Sequence, residues 1–333
     1  MDRTWSCAID FDGTSTKWLI SPNWDPDPAQ TKTGRETGAT HDHIWQSPKH
    51  VAQRLIAFLA SKGAKRVTRL GISVSGCVEP ATMCVLRSDR MSECFRIGGE
   101  HFPKPSFDLC RQVRSRLLRT DVVGLCNDGV AASLGGAIAV RNQQKRIPGP
   151  LFVVTLGSWP IATIVDPKPK GIVQVFLTHF QDKSRIGTSI GLKTITQALN
   201  NKNLNAAGQN EHRRSRRIGR SIVALLATYY GRFKWQPSRV VLLGANSCGI
   251  VKTEFVQGFQ EELKQRPRNG ALTDTERSDA INADKHRTTH SGGNISEMLL
   301  VPTTYEQQSQ FILKGAVLYA QLRHNKKIKV VSI

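Results

Sequence analysis

The chain has 333 residues, of which 39% are hydrophobic and 22% are charged, and this composition excludes a disordered protein and a disulfide-stapled miniprotein. Its 47 lysines and arginines outnumber 26 aspartates and glutamates, and the net charge of +21 favours anionic partners such as nucleic acid, polyphosphate or nucleotides. No apolar run reaches the roughly 18 residues of a membrane-spanning helix and no signal-peptide pattern is seen, so we expect a cytoplasmic protein with no membrane partner.

Strand-like and helix-like segments alternate along the chain, which predicts an α/β architecture. The predicted strands are residues 5–11, 67–74, 121–126, 151–156, 161–165, 172–180, 239–243 and 298–301. The predicted helices are residues 48–61, 106–119, 129–139, 212–230, 253–264 and 306–322. Residues 23–43 and 266–294 are polar and contain few apolar residues that could pack, so we expect mobile loops or insertions there.

The order of these elements indicates two successive α/β halves. Residues 141–150 combine charge, Gly and Pro between an alanine-rich helix and the next strand, and they are the candidate boundary. We therefore expect an N-terminal domain over residues 1–140 and a C-terminal domain over residues 141–305, with 266–294 as a polar insertion in the latter. The seven cysteines are scattered and form no CxxC pair, so we expect reduced thiols and no zinc site.

The most informative segment is residues 7–17, where a predicted apolar strand ends in two carboxylates and is followed by glycine, hydroxyls and a lysine. Carboxylate, backbone N–H and hydroxyl groups at a strand end suit a magnesium-bound phosphate. A plain hairpin turn at Asp12-Gly13, with no ligand, is equally compatible with the pattern. Two protein classes have similar segments: the haloacid-dehalogenase-like DxDGT phosphatases, in which Asp10 would be the nucleophile, and the hexokinase-like sugar kinases with DxGGTxxK.

Later segments favour the sugar kinases, because a DxDGT phosphatase needs a further acidic pair after a late strand and residues 240–249 contain no acid. Four segments are similar, in order, to the GxGxPGxVxP, NDAxAAAxGE, second phosphate-loop and GAAxxA segments of the ROK family (repressor, open reading frame, kinase). They are residues 71–80, 126–136, 151–157 and 314–320. With Asp10, five ordered matches cover most of the chain, which therefore resembles a ROK-family sugar kinase.

This resemblance implies a two-domain actin/hexokinase-like (ribonuclease H-like) α/β fold with an interdomain cleft, in which residues 306–333 pack back on the N-terminal domain. It implies transfer of a phosphoryl group from magnesium-ATP to a hexose hydroxyl, with Asp128 as the base that takes the hydroxyl proton. A sugar and a nucleotide are the implied partners. Polyphosphate as donor, a polyanion on the basic surface and a homodimer are further hypotheses.

The resemblance also implies two sets of binding residues. Those on the phosphate-donor side are Asp10, Gly13, Thr14, Lys17, Thr155, Gly157 and Gly244. Those on the sugar side are Ser75, Gly76, Asp89 and Asn127. Asp10 would hold magnesium indirectly. A helix N-cap remains an alternative role for Asn127-Asp128, because short polar side chains accept the free N–H groups of a helix start.

Several positions depart from the family pattern. Asp12 stands where the family has glycine, and Trp159 and Pro160 replace glycines of the second phosphate loop. The sugar-binding Glu-x-x-His and the zinc motif have no clear counterpart, and His179 is the one candidate histidine. These departures keep open a catalytically inactive, ligand-binding or regulatory protein as the alternative function. Five arginines within residues 211–220 indicate a solvated helix start, with polyanion binding as the second interpretation.

Overall fold

The computed structural model describes residues 4–12, 14–22, 30–45, 50–64, 66–87, 108–117, 122–144, 149–156, 161–177, 209–233, 238–244, 247, 249–265, 299–300 and 304–332. The chain divides into two compact units. The first unit comprises Met1–Ile147, Val165–Phe176 and Glu306–Val331. The second unit comprises Pro148–Ile164, Leu177–Tyr305 and Ser332–Ile333.

The helices and strands of the described residues follow one another in mixed order. They are β1 (Trp5–Phe11), β2 (Ser15–Ser21), β3 (Lys32–Thr37), α1 (Gly38–Trp45), α2 (Val51–Ser61), β4 (Val67–Val74), β5 (Cys77–Val78), β6 (Val85–Arg87), α3 (Leu109–Arg114), β7 (Val122–Asn127), α4 (Asp128–Gln144), β8 (Leu151–Thr155), β9 (Ile161–Lys168), β10 (Ile172–Leu177), α5 (Gln209–Phe233), β11 (Arg239–Leu243), α6 (Lys252–Gln265), β12 (Leu299–Leu300), α7 (Tyr305–His324) and β13 (Ile328–Ser332). A single 3-10 turn, Pro169–Gly171, joins β9 to β10.

The first sheet has the strand order β3-β2-β1-β4-β7. Strand β1 pairs antiparallel with β2 and parallel with β4, and β4 pairs parallel with β7. The register sets Asp10 beside Ser73, and Ser73 beside Cys126. Strands β1, β4 and β7 are buried along most of their length, as expected for parallel strands covered on both faces. Because they are parallel, their carboxyl ends meet at one edge of the sheet.

Helix α7 packs so closely on this sheet and on α4 that four positions, Gly71, Gly124, Gly135 and Gly315, have no room for a side chain. A Cβ atom at Gly71 would overlap the backbone of Ala316, and one at Gly124 would lie 2.6 Å from the Cα of Ala320. A Cβ atom at Gly315 would overlap the carbonyl oxygen of Ala131 on α4. Glycine at these positions therefore permits the close approach of helix to strand and of helix to helix.

The second sheet has the strand order β12-β11-β8-β9-β10-β13, and β11 pairs parallel with both β8 and β12. Helices α5 and α6 pack against each other, again through glycine: a Cβ atom at Gly258 would overlap the carbonyl oxygen of Arg216, and one at Gly219 that of Phe255. No helix among the described residues combines the length and the apolar character that crossing a bilayer demands.

Most elements predicted from the sequence are observed, and the bounds of β1, β4 and β11 are the predicted ones. The prediction of a mobile loop over residues 23–43 is wrong for residues 32–43, which form β3 and most of α1. Strand β3 is an edge strand that pairs with β2 through backbone hydrogen bonds, so it needs little apolar surface of its own. Helix α1 is anchored by Trp45, whose ring lies 4.3 Å from that of Phe11. Strand β13 was not predicted, and residues 266–294 lie outside the described residues.

The close contact of α7 with α4 generates a stability prediction. Replacing Gly315 with alanine forces its new methyl group into the backbone of Ala131, so we expect the free energy of unfolding to fall by about 2 kcal/mol or more. Chemical denaturation measures this change. The matched control is Asn142→Ala on the exposed face of α4, which should change the free energy by less than about 0.5 kcal/mol. Equal effects of the two substitutions would contradict the packing described here.

Candidate active site

Asp10 lies at the carboxyl end of β1 and is almost entirely buried, with 3% of its surface exposed. Its Oδ2 accepts a hydrogen bond from Nζ of Lys17 at 3.0 Å. Its Oδ1 is buried and has no hydrogen-bond partner in the part of the chain that the structure describes. A buried carboxylate oxygen without a donor is unfavourable, so this atom has the capacity to accept a hydrogen bond from a bound ligand or from metal-bound water.

Asp12 organises the turn between β1 and β2. Its Oδ1 accepts hydrogen bonds from the backbone N–H groups of Thr14 at 3.2 Å and Ser15 at 2.8 Å, and its Oδ2 accepts one from Oγ of Ser15 at 2.8 Å. The ammonium of Lys17 lies 3.0 Å from the same Oδ2. Burial raises the pKa of Asp12, but the charge of Lys17 and the hydrogen bonds of the turn outweigh burial and hold the pKa below its ordinary value.

Asn127 and Asp128 mark the junction between β7 and α4. Oδ1 of Asn127 accepts the N–H of Gly129 at 2.7 Å, and Oδ1 of Asp128 accepts the same N–H at 2.9 Å. Nδ2 of Asn127 donates to the carbonyl oxygen of Gly76 at 2.5 Å. The hydrogen bonds of the N-cap interpretation are therefore present, and the side chain of Asn127 additionally ties β7 to the segment after β4.

The carboxyl group of Asp128 has a pKa raised from 3.8 to about 7. Burial is the largest cause and the negative charge of Asp10 is the second, while the N–H of Gly129, the charge of Lys17 and Asn127 act in the opposite direction. The strand register places Asp10 and the residue before Asp128 at the same edge of the sheet, which agrees with the contribution of Asp10 to this pKa. A carboxyl group with a pKa near neutrality can accept a proton and later release it.

Ser75 and Gly76, two further described residues predicted on the sugar side, lie beside Asn127. The N–H of Ser75 donates to the carbonyl oxygen of Phe11 at 3.1 Å, and the carbonyl of Gly76 is held by Asn127. Both residues are half-buried. Asp89, the remaining sugar-side residue, lies outside the described residues, as does His179.

Two of the predicted donor-side residues belong to the second unit. Thr155 ends β8, and its Oγ1 is buried with no hydrogen-bond partner. Gly244 follows β11 with a φ of +92°, and a Cβ atom there would lie 2.7 Å from the backbone of Leu156, so this position requires glycine. Gly13, Gly157, Trp159 and Pro160 lie outside the described residues, so the predictions made for them are not tested here.

One polar side chain at the sheet edge, Ser73, lies in the segment that resembles the family's sugar-side loop but was not among the predicted binding residues. Ser73 neighbours Asp10 in the register, is fully buried, and its Oγ has no hydrogen-bond partner among the described residues. A serine inside an apolar strand gives no sign in the sequence of whether its side chain lies at a site. The parallel pairing of β1 with β4 places Ser73 beside Asp10, and a prediction of that pairing could have identified it.

Several arginines at the start of α5 form hydrogen bonds or ion pairs with other parts of the protein, which the prediction of a solvated helix start did not include. Arg216 and Arg220 both bind the carboxylate of Glu261 on α6, and these hydrogen bonds lower the pKa of Glu261 to about 2. Arg214 donates to the carbonyl oxygen of Gly249 at 3.3 Å. Arg213 is exposed, in agreement with the prediction. Part of this positive charge is thus neutralised within the protein.

The described residues bring together no group of three or more His, Cys, Asp or Glu side chains suited to holding a metal ion directly. Asp10 nevertheless fits an indirect magnesium contact. Its Oδ1 is a hard oxygen donor that is unpaired within the protein, and such an atom accepts a hydrogen bond from a magnesium-bound water.

No protein-family model matches the chain, and neither does any curated protein sequence. Among solved structures, the ROK hexokinase from Thermus thermophilus is 13% identical, with a TM-score of 0.54 over 97% of this chain and 99% of that chain. A ROK-family glucokinase from Streptomyces griseus, in complex with glucose and AMPPNP, is 14% identical, with a TM-score of 0.52 over 95% of this chain and 99% of that chain. The chain has the fold of the ROK sugar kinases.

The ROK fold is not confined to kinases. A ROK-family transcriptional regulator, a homologue of the E. coli MLC protein, is 10% identical to this chain, with a TM-score of 0.50 over 96% of this chain and 81% of that chain. The actin/hexokinase-like α/β fold expected from the sequence is therefore confirmed. At these identities the ROK likeness is one of fold, and function rests on the residues of the site.

The raised pKa of Asp128 generates a prediction about stability. Above pH 7 the folded protein must hold a charged carboxylate at this partly buried position, so Asp128→Asn should raise the free energy of unfolding there, by up to about 4 kcal/mol. Below about pH 4 the carboxyl is protonated in the folded and unfolded states alike, and the gain should vanish. Denaturation at pH 8 and at pH 3.5 measures the difference.

The matched control for this measurement is Asp42→Asn, which removes the same charge from an exposed position on α1. It should leave stability within about 0.5 kcal/mol of the wild type at both pH values. An Asp128→Asn variant that is no more stable than the wild type at pH 8 would contradict the electrostatic description of the site.

Proposed function

We propose that the protein is a sugar kinase that transfers a phosphoryl group from magnesium-ATP to a hexose hydroxyl. The single observation that carries this proposal is the Asp128 carboxyl, whose pKa of about 7 suits a general base and which neighbours the buried Asp10 at one edge of a ROK-like sheet. The fold alone would not suffice, because regulators share it.

In the proposed reaction, the ionised carboxylate of Asp128 accepts the proton of a sugar hydroxyl. The hydroxyl oxygen forms a bond to the terminal phosphorus as the bond from that phosphorus to the leaving oxygen breaks, and ADP departs. Asn127, Ser75 and Gly76, which neighbour Asp128 through the contacts described above, would orient the sugar, together with Asp89. Correct orientation of the hydroxyl is a large part of catalysis in phosphoryl transfer.

On the donor side, we propose that Lys17, Thr14 and Gly13 contact the phosphates, with Thr155, Gly157 and Gly244 as further contacts. The Oγ1 of Thr155 supports this assignment because it is buried and has no partner. Asp10 would hold magnesium through a bound water, and bound magnesium supplies charge neutralisation of the phosphates. Polyphosphate is proposed as an alternative donor, since a net charge of +21 attracts polyanions.

A second candidate function is ligand binding or regulation without catalysis. The observation that favours it is the carboxylate of Asp12, which already engages the N–H groups and the ammonium that would bind phosphate. A DxDGT phosphatase has less support. Its nucleophile would be Asp10, whose Oδ2 is paired with Lys17, and residues 240–249 supply none of the further acids that such a phosphatase needs.

A coupled phosphoryl-transfer assay with magnesium, either ATP or polyphosphate, and a panel of hexoses and amino sugars tests the proposal. We expect turnover by the wild type and a loss of about 10²–10⁴-fold in kcat for Asp128→Asn, because a general base contributes that much. Asp42→Asn is the control and should retain wild-type kcat. No turnover by the wild type with any donor and sugar of the panel would favour the ligand-binding function. Release of phosphate in the absence of a sugar would favour the phosphatase.

The pH profile of the same assay gives an independent prediction. Asp128 acts as a base only when ionised, so kcat/KM should fall about tenfold per pH unit below an apparent pKa of about 7. The fall follows from the raised pKa, because with an ordinary aspartate as base kcat/KM would stay unchanged down to about pH 4. A profile that is flat from pH 8 to about pH 5 would exclude Asp128 as the titrating base.

A further inference from the structure

We propose that the carboxylate of Asp12 competes with the phosphoryl donor for the phosphate-binding groups of the β1–β2 turn. Because Asp12 already binds these groups, it would lower the affinity of the site for nucleotide. This inference deepens the proposed function and rests on it for the assignment of the turn to the donor phosphates. Asp12 would thus be a specificity-determining residue for the donor.

The donors at the turn are those that bind phosphate in other proteins, namely consecutive backbone N–H groups, a hydroxyl and an ammonium. In this chain all of them point to one carboxylate. The N–H groups of Thr14 and Ser15 and the hydroxyl of Ser15 donate to Asp12, and the ammonium of Lys17 lies 3.0 Å from it. The two oxygens of Asp12 therefore take the place that two oxygens of a phosphate would take.

The charge balance of the site points in the same direction. Among the described residues, Asp10 and Asp12 are both paired with the ammonium of Lys17, and the carboxyl of Asp128 interacts with the charges of Asp10 and Lys17. A bare phosphate entering this site meets excess negative charge. The Oδ1 of Asp10, buried and without a partner, is an independent sign that a ligand or its hydrated cation completes the site. Loss of the Asp12 carboxylate would free the turn and remove one of the repelling charges.

A purely structural role for Asp12 leads to a different expectation. If Asp12 serves only to stabilise the turn, its replacement lowers stability and leaves phosphate affinity unchanged or weaker. If Asp12 competes with phosphate, its replacement tightens binding even where stability falls. Asparagine and glycine separate the two roles, because asparagine keeps an oxygen for the N–H groups but loses the charge, whereas glycine loses both.

The test is the dissociation constant of ADP, measured by calorimetry with magnesium on the full chain, for the wild type, Asp12→Asn, Asp12→Gly and Asp42→Asn. We expect Asp12→Gly to bind ADP at least about tenfold more tightly than the wild type, and Asp12→Asn to bind with intermediate affinity. Adding Lys17→Met to Asp12→Gly should cancel the gain, because the ammonium, which in Asp12→Gly is no longer shared with Asp12, is the main new contact for phosphate. Asp42→Asn controls for the change in net charge.

Affinities of both Asp12 variants within twofold of Asp42→Asn would overturn the proposal. If Asp12→Gly does not fold, Asp12→Asn decides alone, since it retains the turn. The readout needs no turnover, so it separates the two proposals. If the Asp12 variants bind ADP more tightly but the wild type phosphorylates no sugar, the competition by Asp12 is supported and the kinase function is refuted. If the wild type phosphorylates a sugar but the Asp12 variants bind ADP as the wild type does, the kinase function is supported and the competition is refuted.

Discussion

The ammonium of Lys17 is the group on which the edge of the first sheet depends. It lies 3.0 Å from Oδ2 of Asp10 and 3.0 Å from Oδ2 of Asp12, and its charge also acts on Asp128. The charge of Lys17 also lowers the pKa of Asp128, but burial and the negative charge of Asp10 outweigh it. Groups on β1 and β2 thus contribute to the protonation behaviour of the first residue of α4.

The arrangement follows from the way the strands are paired. Strands β1, β4 and β7 are parallel, so Asp10, Ser73 and Asn127 reach the same edge although they come from distant parts of the sequence. The antiparallel return of β2 brings Lys17 directly beside Asp10 in the register. Each of these polar side chains can contribute to the site only because its apolar strand is buried, which fixes the position of the side chain.

The sequence predicted those parts of the molecule in which pattern and chemistry coincide. Continuous apolar runs identified β1 and β4, and Asp10 and Asp128 stand out because polar residues directly follow such runs. Strand β3 was missed because an edge strand is stabilised by backbone hydrogen bonds that leave no apolar pattern. The environment of Asp12 could not be predicted from the sequence either. A carboxylate beside glycine can face solvent, a metal or its own turn, and only the structure distinguishes these three cases.

Helix α7 completes the first unit from the far end of the chain. Its Ala316 and Ala320 cover Gly71 and Gly124, and Arg69 bonds to Gln321 across 252 residues of sequence. At ordinary rates of translation, roughly 10–50 s separate the synthesis of β4 from that of its covering helix. During that interval the surface of β4 and β7 around Gly71 and Gly124, which α7 covers, lacks its native neighbour. The first unit therefore cannot be completed until α7 has been synthesised, long after its strands.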